Sequence, residues 1–264
     1  MEVQRLSRFL STILLFSVIG CTAVPIEEPV ISSAPLVDQL KTLTPPVQKV
    51  PIAVYQFGDL TGQRKPSETL ASLSTAVTQG AHVMLIQALK KAGNGEWFQV
   101  VERVGLDNLL KERQIIRNTR DQFEGKDAKK LKALLFAGVL LEGGVIGYDT
   151  NIETGGAGAR YLGIGIHDEY RRDVVSVGIR LISVQTGEVL LAISTHKTIM
   201  STKVGVNVFR FLDMGTKLLE TEIGFTQNES ITYAVRKAIE ASVVELVEKG
   251  EESELWEFKK EKEK

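Results

Sequence analysis

Short β-rich runs and stretches of helical spacing alternate along the first half of the chain. The run VPIAVYQF, residues 50–57, is bounded by Pro51 and Gly58, which predicts a strand. Residues 97–102 predict a second strand. Apolar residues recur at helical spacing in three further stretches, which predicts helices over 75–92, 106–116 and 129–136.

The second half of the chain is richer in β-like runs. Residues 139–148 predict a strand, and residues 174–184 and 189–200 predict a hairpin around the tight turn Thr186-Gly187-Glu188. A long amphipathic helix over 230–249 precedes a charged tail. Alternating β and α elements with solvated helix faces are typical of an α/β domain.

Two segments, 150–173 and 202–226, fit this domain less well. Each has room for two membrane β-strands of roughly 9 to 11 residues joined by a short turn. In the second segment apolar and polar residues alternate on both sides of a turn expected at 213–217. The residues expected to face water in a barrel lumen are Lys203, Asn207, Glu220 and Glu222.

The first segment alternates more weakly, and ordinary surface hairpins of a soluble domain are the alternative for both. If the segments are membrane hairpins, four strands from one chain leave two open edges. Unpaired backbone groups at those edges would cost several kcal/mol each in hydrocarbon. Closure of a barrel therefore requires several copies in a ring.

Composition limits the possible functions. The chain has 264 residues, 43% of them hydrophobic, which is enough for a full α/β core. Its formal net charge of −1 gives no broad field that would attract nucleic acid. The single cysteine excludes an internal disulfide.

That cysteine follows a secretion signal. Arg5 and Arg8 precede an apolar run, residues 9–19, that is too short for a spanning helix of roughly 20 residues. The sequence VIGC, ending at Cys21, resembles a bacterial lipobox, although Val18 replaces the usual leucine. We expect Cys21 to carry a covalent lipid, the alternative being an ordinary secretory signal. Resemblance to bacterial lipoproteins favours the outer membrane, because Thr22 is not the aspartate of inner-membrane retention.

Enzyme chemistry finds little support in the sequence. The glycine-rich stretch GGAGARYLGIG, residues 155–165, lacks both phosphate-binding glycine patterns. His167, Asp168 and Glu169 would point to alternate faces of a strand, so they cannot converge on a metal. No zinc-protease motif or nucleophile elbow is present. We therefore expect neither catalysis nor a cofactor other than the lipid.

Several stretches together carry a family resemblance. They are Asp59 with Thr61-Gly62-Gln63, the run RVGLDNLLKERQIIR over 103–117, GGAGARYLGIG, VFRF over 208–211, and Gly224, Thr226, Asn228 and Glu229. On these residues the chain resembles the CsgG family of outer-membrane curli secretion channels, from the lipobox to the terminal helix.

The resemblance implies an α/β periplasmic domain plus two amphipathic β-hairpins that join an oligomeric transmembrane barrel. About nine copies would form the ring. Family members export unfolded amyloid subunits without nucleotide, and accessory proteins act at the periplasmic and surface ends. Arg160 and Tyr161 would lie at the tip of the first membrane hairpin.

The resemblance also implies a constriction loop over 59–75. Family members place tyrosine, asparagine and phenylalanine there, whereas this chain aligns Ser67, Ser72 and Leu73 with them. A wider or softer aperture, or a different peptide cargo, is the expected consequence. A lipid-anchored periplasmic adaptor remains the alternative of another class.

The whole chain is accordingly divided into seven parts: signal peptide 1–20, tether 21–48, periplasmic α/β domain 49–149, membrane hairpin 150–173, periplasmic β-hairpin 174–201, membrane hairpin 202–226, and C-terminal helix and tail 227–264.

Overall fold

Helices and strands alternate along the chain and then give way to long antiparallel strands. The computed structural model describes residues 37–64, 75–125, 128–155, 168–203, 209–213 and 230–259. The helices there are α1 Val37–Thr42, α2 Ala81–Lys91, α3 Leu106–Phe123 and α4 Ser230–Glu252. The strands are β1 Val50–Asp59, β2 Phe98–Val101, β3 Val139–Gly155, β4 Asp168–Ser183, β5 Val189–Lys203 and β6 Phe209–Asp213.

These strands form one mixed sheet in the order β2-β1-β3-β4-β5-β6. β1 runs parallel to both of its neighbours, and every later pair is antiparallel. The β4–β5 connection closes with Gly187 at φ +72° and a bond from its amide to Ser183 O (2.9 Å). Glycine adopts that backbone conformation without steric cost. The hairpin predicted around Thr186-Gly187-Glu188 is confirmed.

The core lies between one face of this sheet and the helices α2 and α4. Alternate residues of β4 are buried, in keeping with the period of two expected when helices cover only one face of an antiparallel sheet. Thr195 on β5 donates to Ala238 O of α4 (2.8 Å) and lies 2.6 Å from Ser242 Oγ. The buried apolar residues of α4 are Ala234, Val235, Ala238, Ile239, Val243, Leu246 and Val247.

A second cluster joins the two ends of the described domain. Trp97 packs edge-on against Trp256, with ring centroids 5.6 Å apart, and its Nε1 donates to Thr44 O (2.8 Å). Nearby, Pro46 pairs with Phe258, and the amide of Val47 donates to Glu257 O (2.9 Å). We call residues 44–47 and 256–259 together the C-terminal clasp.

Helix α3 stands apart from the core. None of its 18 residues is buried, and Leu110 and Ile115 are 46% and 55% exposed. Residues 128–137 run back along it without regular structure. We call this stretch the return segment.

The helix predicted over residues 129–136 is therefore wrong. Backbone carbonyls of the return segment accept hydrogen bonds from arginine side chains of α3 and from Arg103, three residues before the helix. Arg113 donates to Lys132 O (2.7 Å), Arg103 donates to Leu135 O (2.9 Å), and Arg120 donates to Lys129 O. These tertiary bonds satisfy carbonyls that a helix would satisfy internally.

Two further boundaries differ from the sequence analysis. Helix α2 begins at Ala81 rather than Thr75, because the Ala76 amide donates to Gln63 O (2.9 Å) instead of starting the helix. The second membrane segment was expected to continue as one strand from Lys203 to a turn at 213–217. Instead, β5 ends at Lys203, which pairs with Phe209 at the start of the antiparallel strand β6. The alternation of valines in the sequence does not show which strand each stretch pairs with.

Candidate functional site: the loop stem and the hairpin strands

Most residues predicted to form a channel lie outside the described part of the chain. This applies to the anchor, the constriction, the hairpin tip and most of the lumen: Cys21, Ser67, Ser72, Leu73, Arg160, Tyr161, Asn207, Glu220 and Glu222. Lys203 is described as the last residue of β5, opposite Phe209. The structure describes the chain on either side of residues 65–74, which include Ser67, Ser72 and Leu73, and of residues 156–167, which include Arg160 and Tyr161.

The base of the predicted constriction loop is closed by backbone pairing. Arg64 and Thr75 form an isolated antiparallel bridge, and the Ala76 amide donates to Gln63 O (2.9 Å). We call residues 60–64 and 75–79 the loop stem. The two ends of the intervening segment therefore lie next to each other.

Asp59, the last residue of β1, joins both arms of the stem. Its Oδ1 accepts from the Thr61 amide (2.9 Å) and the Thr61 hydroxyl (2.6 Å). Its Oδ2 accepts from Gln79 Nε2 on the other arm (3.2 Å). The Thr61 hydroxyl also accepts from the Gln63 amide (3.2 Å). A single carboxylate therefore connects β1 with both arms.

The end of β1 is seated tightly on β3. The Leu60 amide donates to Val145 O (2.9 Å), and Gly58 pairs with Gly144. A Cβ at Gly144 would lie 2.4 Å from Gly58 O, which no side chain tolerates. The glycine thus lets the strand that bears Asp59 approach β3 closely.

Strands β3 and β4 stay paired far beyond the helix-covered core. Their register runs from Val139 opposite Ser183 to Gly155 opposite Asp168, with one irregularity near Val145. The pairing therefore enters the first predicted membrane segment from both sides. The two strands extend the domain sheet as one antiparallel pair.

Two buried charged residues lie on the neighbouring strands β4 and β5. Asp173 on β4 is fully buried, and Lys197 on β5 is 1% exposed. Val175 pairs with Lys197 and Asp173 pairs with Ile199, so the two charged residues are diagonal neighbours on the core-facing side. Both take part in polar or electrostatic interactions.

A groove of about 620 Å³ lies between α3 and the return segment. Its lining combines cationic residues, among them Arg113, Arg117 and Lys130, with apolar ones such as Leu110 and Phe136. Within the described ranges no helix is both long and apolar enough to cross a membrane.

Comparison with known proteins decides the family. A family model described as curli production assembly/transport component CsgG matches residues 35–264. The chain is 40% identical over 262 residues to the protein of that description from Escherichia coli (strain K12), covering 97% of this chain and 92% of the other. This chain belongs to the CsgG family. The relative from Citrobacter koseri is 41% identical over 245 residues, covering 90% of this chain and 87% of the other.

The family assignment confirms the resemblance stated from the sequence. Among solved structures, a PelC dodecamer from Paraburkholderia phytofirmans covers 81% of this chain and 94% of its own, at 14% identity and a TM-score of 0.30. A TM-score this low supports no statement about the present chain.

The loop stem of this CsgG family member contains one position that sequence reasoning missed. The spacing of Asp59, Thr61 and Gln63 along a strand end was visible, and these residues helped to carry the resemblance. Gln79 was not singled out, because it bonds to Asp59 across 20 positions of the chain and no local pattern links the two.

Proposed function

We propose that this chain is the subunit of an oligomeric outer-membrane channel that exports unfolded curli-type subunits from the periplasm to the cell surface. Its relatives are described as curli production assembly/transport components, which supports a role in curli export. The geometric observation that carries the proposal is the continuous pairing of β3 with β4 up to Gly155 and Asp168. Such a hairpin is the unit from which a shared barrel is built.

Open strand edges support assembly of several copies into a ring, and the family resemblance implies about nine of them. Beyond Val145 the described part of β3 pairs only with β4, and β6 has a described neighbour on one side only. A strand edge in hydrocarbon must pair with another strand, and a second copy supplies one. The unburied helix α3, with Leu110 and Ile115 exposed, is a further surface for contact between copies.

The pore of this proposed ring has three parts. Lys203, Asn207, Glu220 and Glu222 face the barrel lumen, where repeated acidic residues repel a passing acidic chain and Lys203 partly offsets them. Arg160 and Tyr161 lie at the tip of the first hairpin. Ser67, Ser72 and Leu73, held on the loop stem, form the narrowest ring.

Transport through this pore is by diffusion and requires no nucleotide. The lipid on Cys21 anchors each copy to the outer membrane, with the α/β domain in the periplasm. Accessory curli proteins act at the periplasmic and surface ends. No catalytic step is part of the proposal.

The decisive experiment uses the full lipoprotein extracted in detergent. We expect heat-resistant oligomers, ring-shaped particles in electron micrographs, and discrete conductance steps in planar bilayers from the same sample. A protein that stays monomeric and conducts nothing at any concentration would contradict the channel and would favour the periplasmic adaptor.

Single variants test the proposed constriction and the proposed lipid anchor. Ser67→Tyr restores an aromatic ring at the proposed constriction and should lower single-channel conductance, whereas Ser253→Tyr, at an exposed position after α4, should not. Equal conductance of Ser67→Tyr and Ser253→Tyr would contradict the assignment of Ser67 to the constriction.

The proposed lipid anchor has a test of its own, since Cys21→Ser should abolish incorporation of labelled fatty acid.

A further inference from the structure

The Asp59 carboxylate bonds to both arms of the loop stem. Its Oδ1 holds the first arm through Thr61, and its Oδ2 holds the second arm through Gln79. We call these three residues the Asp59 junction. Hydrogen bonds to an ionised carboxylate are stronger than those between neutral groups.

The second arm is fixed on both sides of its contact with Asp59. Gln79 Nε2 also donates to Val77 O (3.2 Å), which holds its amide in one orientation. The next residue, Gly80, donates its amide to Thr78 Oγ1 (3.2 Å) and precedes α2. The junction therefore ties the arm to the start of a helix whose residues Ala81 and Leu85 are fully buried.

The other side of the junction is equally well supported. Asp59 pairs with Val145 of β3, and the following residue, Leu60, donates its amide to Val145 O. β3 is also a strand of the first hairpin. The position of the loop stem is thus set relative to the hairpin strand by a carboxylate at the end of β1.

We propose that Asp59 is a positioning residue for the constriction. Acting with Thr61 and Gln79, it holds the two arms together and fixes where the intervening loop projects relative to β3. The inference rests on the proposed channel function for its effect on current, but the closure of the stem can be measured independently.

The amide exchange of the stem tests the junction directly. In the full lipoprotein, Asp59→Ala removes all three bonds to the carboxylate, and Gln79→Glu sets a second carboxylate against the first. Both should raise the hydrogen-exchange rates of the Thr61 and Ala76 amides about tenfold, which corresponds to ~1.4 kcal/mol. In bilayers both variants should increase the open-channel current noise, since the two arms of the loop stem are then held together less firmly.

The exchanged pair D59N/Q79E provides the rescue. In this double variant the amide of the new asparagine donates to the new glutamate, while the asparagine oxygen still accepts from Thr61. The hydrogen-exchange rates of the Thr61 and Ala76 amides and the open-channel current noise should return toward the wild-type values. Gln99→Glu, which adds the same charge at an exposed position of β2, should change neither quantity.

The outcomes separate this inference from the proposed function. If the wild type forms no conducting ring, the channel proposal fails while the exchange data still decide the junction. If the wild type conducts and Asp59→Ala and Gln79→Glu match it in exchange and noise, the junction has no positioning role. Should Asp59→Ala not fold, Thr61→Val removes the hydroxyl that bonds Asp59 and the Gln63 amide but keeps the bond from the Thr61 amide. Wild-type exchange at Ala76 in that variant and in Gln79→Glu would overturn the proposal.

Discussion

Helices α3 and α4 are both amphipathic, yet only one is part of the core. α4 lies on the sheet and buries residues such as Ile239 and Leu246 completely, whereas α3 buries none of its residues. α3 is built from good helix formers, mainly leucine, lysine, arginine, glutamate and glutamine, and its arginines bond the return segment. An apolar stripe therefore predicts a helix without saying whether the same chain covers it.

The largest expected difference between the two helices comes from matched isoleucines. Ile239→Ala in α4 creates a cavity at a fully buried site and should lower the free energy of unfolding by about 2–5 kcal/mol. Ile115→Ala in α3, at a 55% exposed site, should change it by less than about 0.5 kcal/mol.

Urea denaturation measures both free energies of unfolding. The full chain carries Cys21→Ser, which removes the proposed lipidation site, and is kept at a protein concentration too low for oligomers to form. Comparable losses in the two variants would mean that α3 is buried in solution. If Ile115→Ala instead weakens only the heat-resistant oligomer, the contact between copies through α3 gains support.

The glycines at the ends of the two helices give the next largest contrast. A Cβ at Gly250 in α4 would lie 2.0 Å from the Trp256 ring, so Gly250→Ala must displace that indole and should cost about 1–3 kcal/mol. Gly125, after α3, has φ +63° and open space around it. Gly125→Ala strains only its own backbone, so it should cost about 1–2 kcal/mol without moving Trp256.

Tryptophan fluorescence reports the difference, because a displaced Trp256 becomes more exposed and its emission shifts to longer wavelength. An unshifted spectrum and an unchanged urea midpoint in Gly250→Ala would contradict the close packing of Trp256 on α4.

A smaller effect is expected where α4 is tied to the sheet by a hydroxyl. Thr195→Val removes the bond to Ala238 O but keeps the shape, and Ser242 retains its own bond to that carbonyl (2.8 Å). The free energy of unfolding should fall by about 1 kcal/mol. A loss well above this value, measured by the same urea titration, would show that the Thr195 hydroxyl also stabilises Ser242, whose Oγ lies 2.6 Å away.

The smallest effect belongs to α3 and stays local. Arg113→Gln removes a side chain that donates to Lys132 O and should speed tryptic cleavage at Lys129, Lys130 and Lys132. Arg117→Gln removes the same charge from the same groove, where the described contacts give Arg117 no hydrogen bond, and should not. The free energy of unfolding should be unchanged in both variants. Equal cleavage rates would show that positive charge, and not the hydrogen bond from Arg113, holds the return segment.

Local patterns predicted much of this fold. The alternation of valines and isoleucines placed the β4–β5 hairpin and its turn, because one face of that hairpin is buried and the other is not. The apolar spacing of residues 230–249 placed α4 for the same reason. Such elements are specified by the residues that form them.

Other features depend on partners that are distant in the sequence. The return segment has helical periodicity, but the arginines that bind its carbonyls come from α3. The start of α2 is set by the bond from Ala76 to Gln63 across the loop, and Gln79 meets Asp59 in the same way. The resemblance pointed to the loop, while the side chains that close its base emerged only from the three-dimensional arrangement.

The C-terminal clasp has a consequence for the order in which the protein is completed. Pro46 and Phe258 are far apart in the sequence, yet they pair with each other next to Trp97. Ribosomes add Trp256 and Phe258 long after Thr44 and Trp97, so this aromatic cluster cannot close until synthesis has passed Phe258. A product terminated before Trp256 would therefore present an unfinished aromatic surface to proteases.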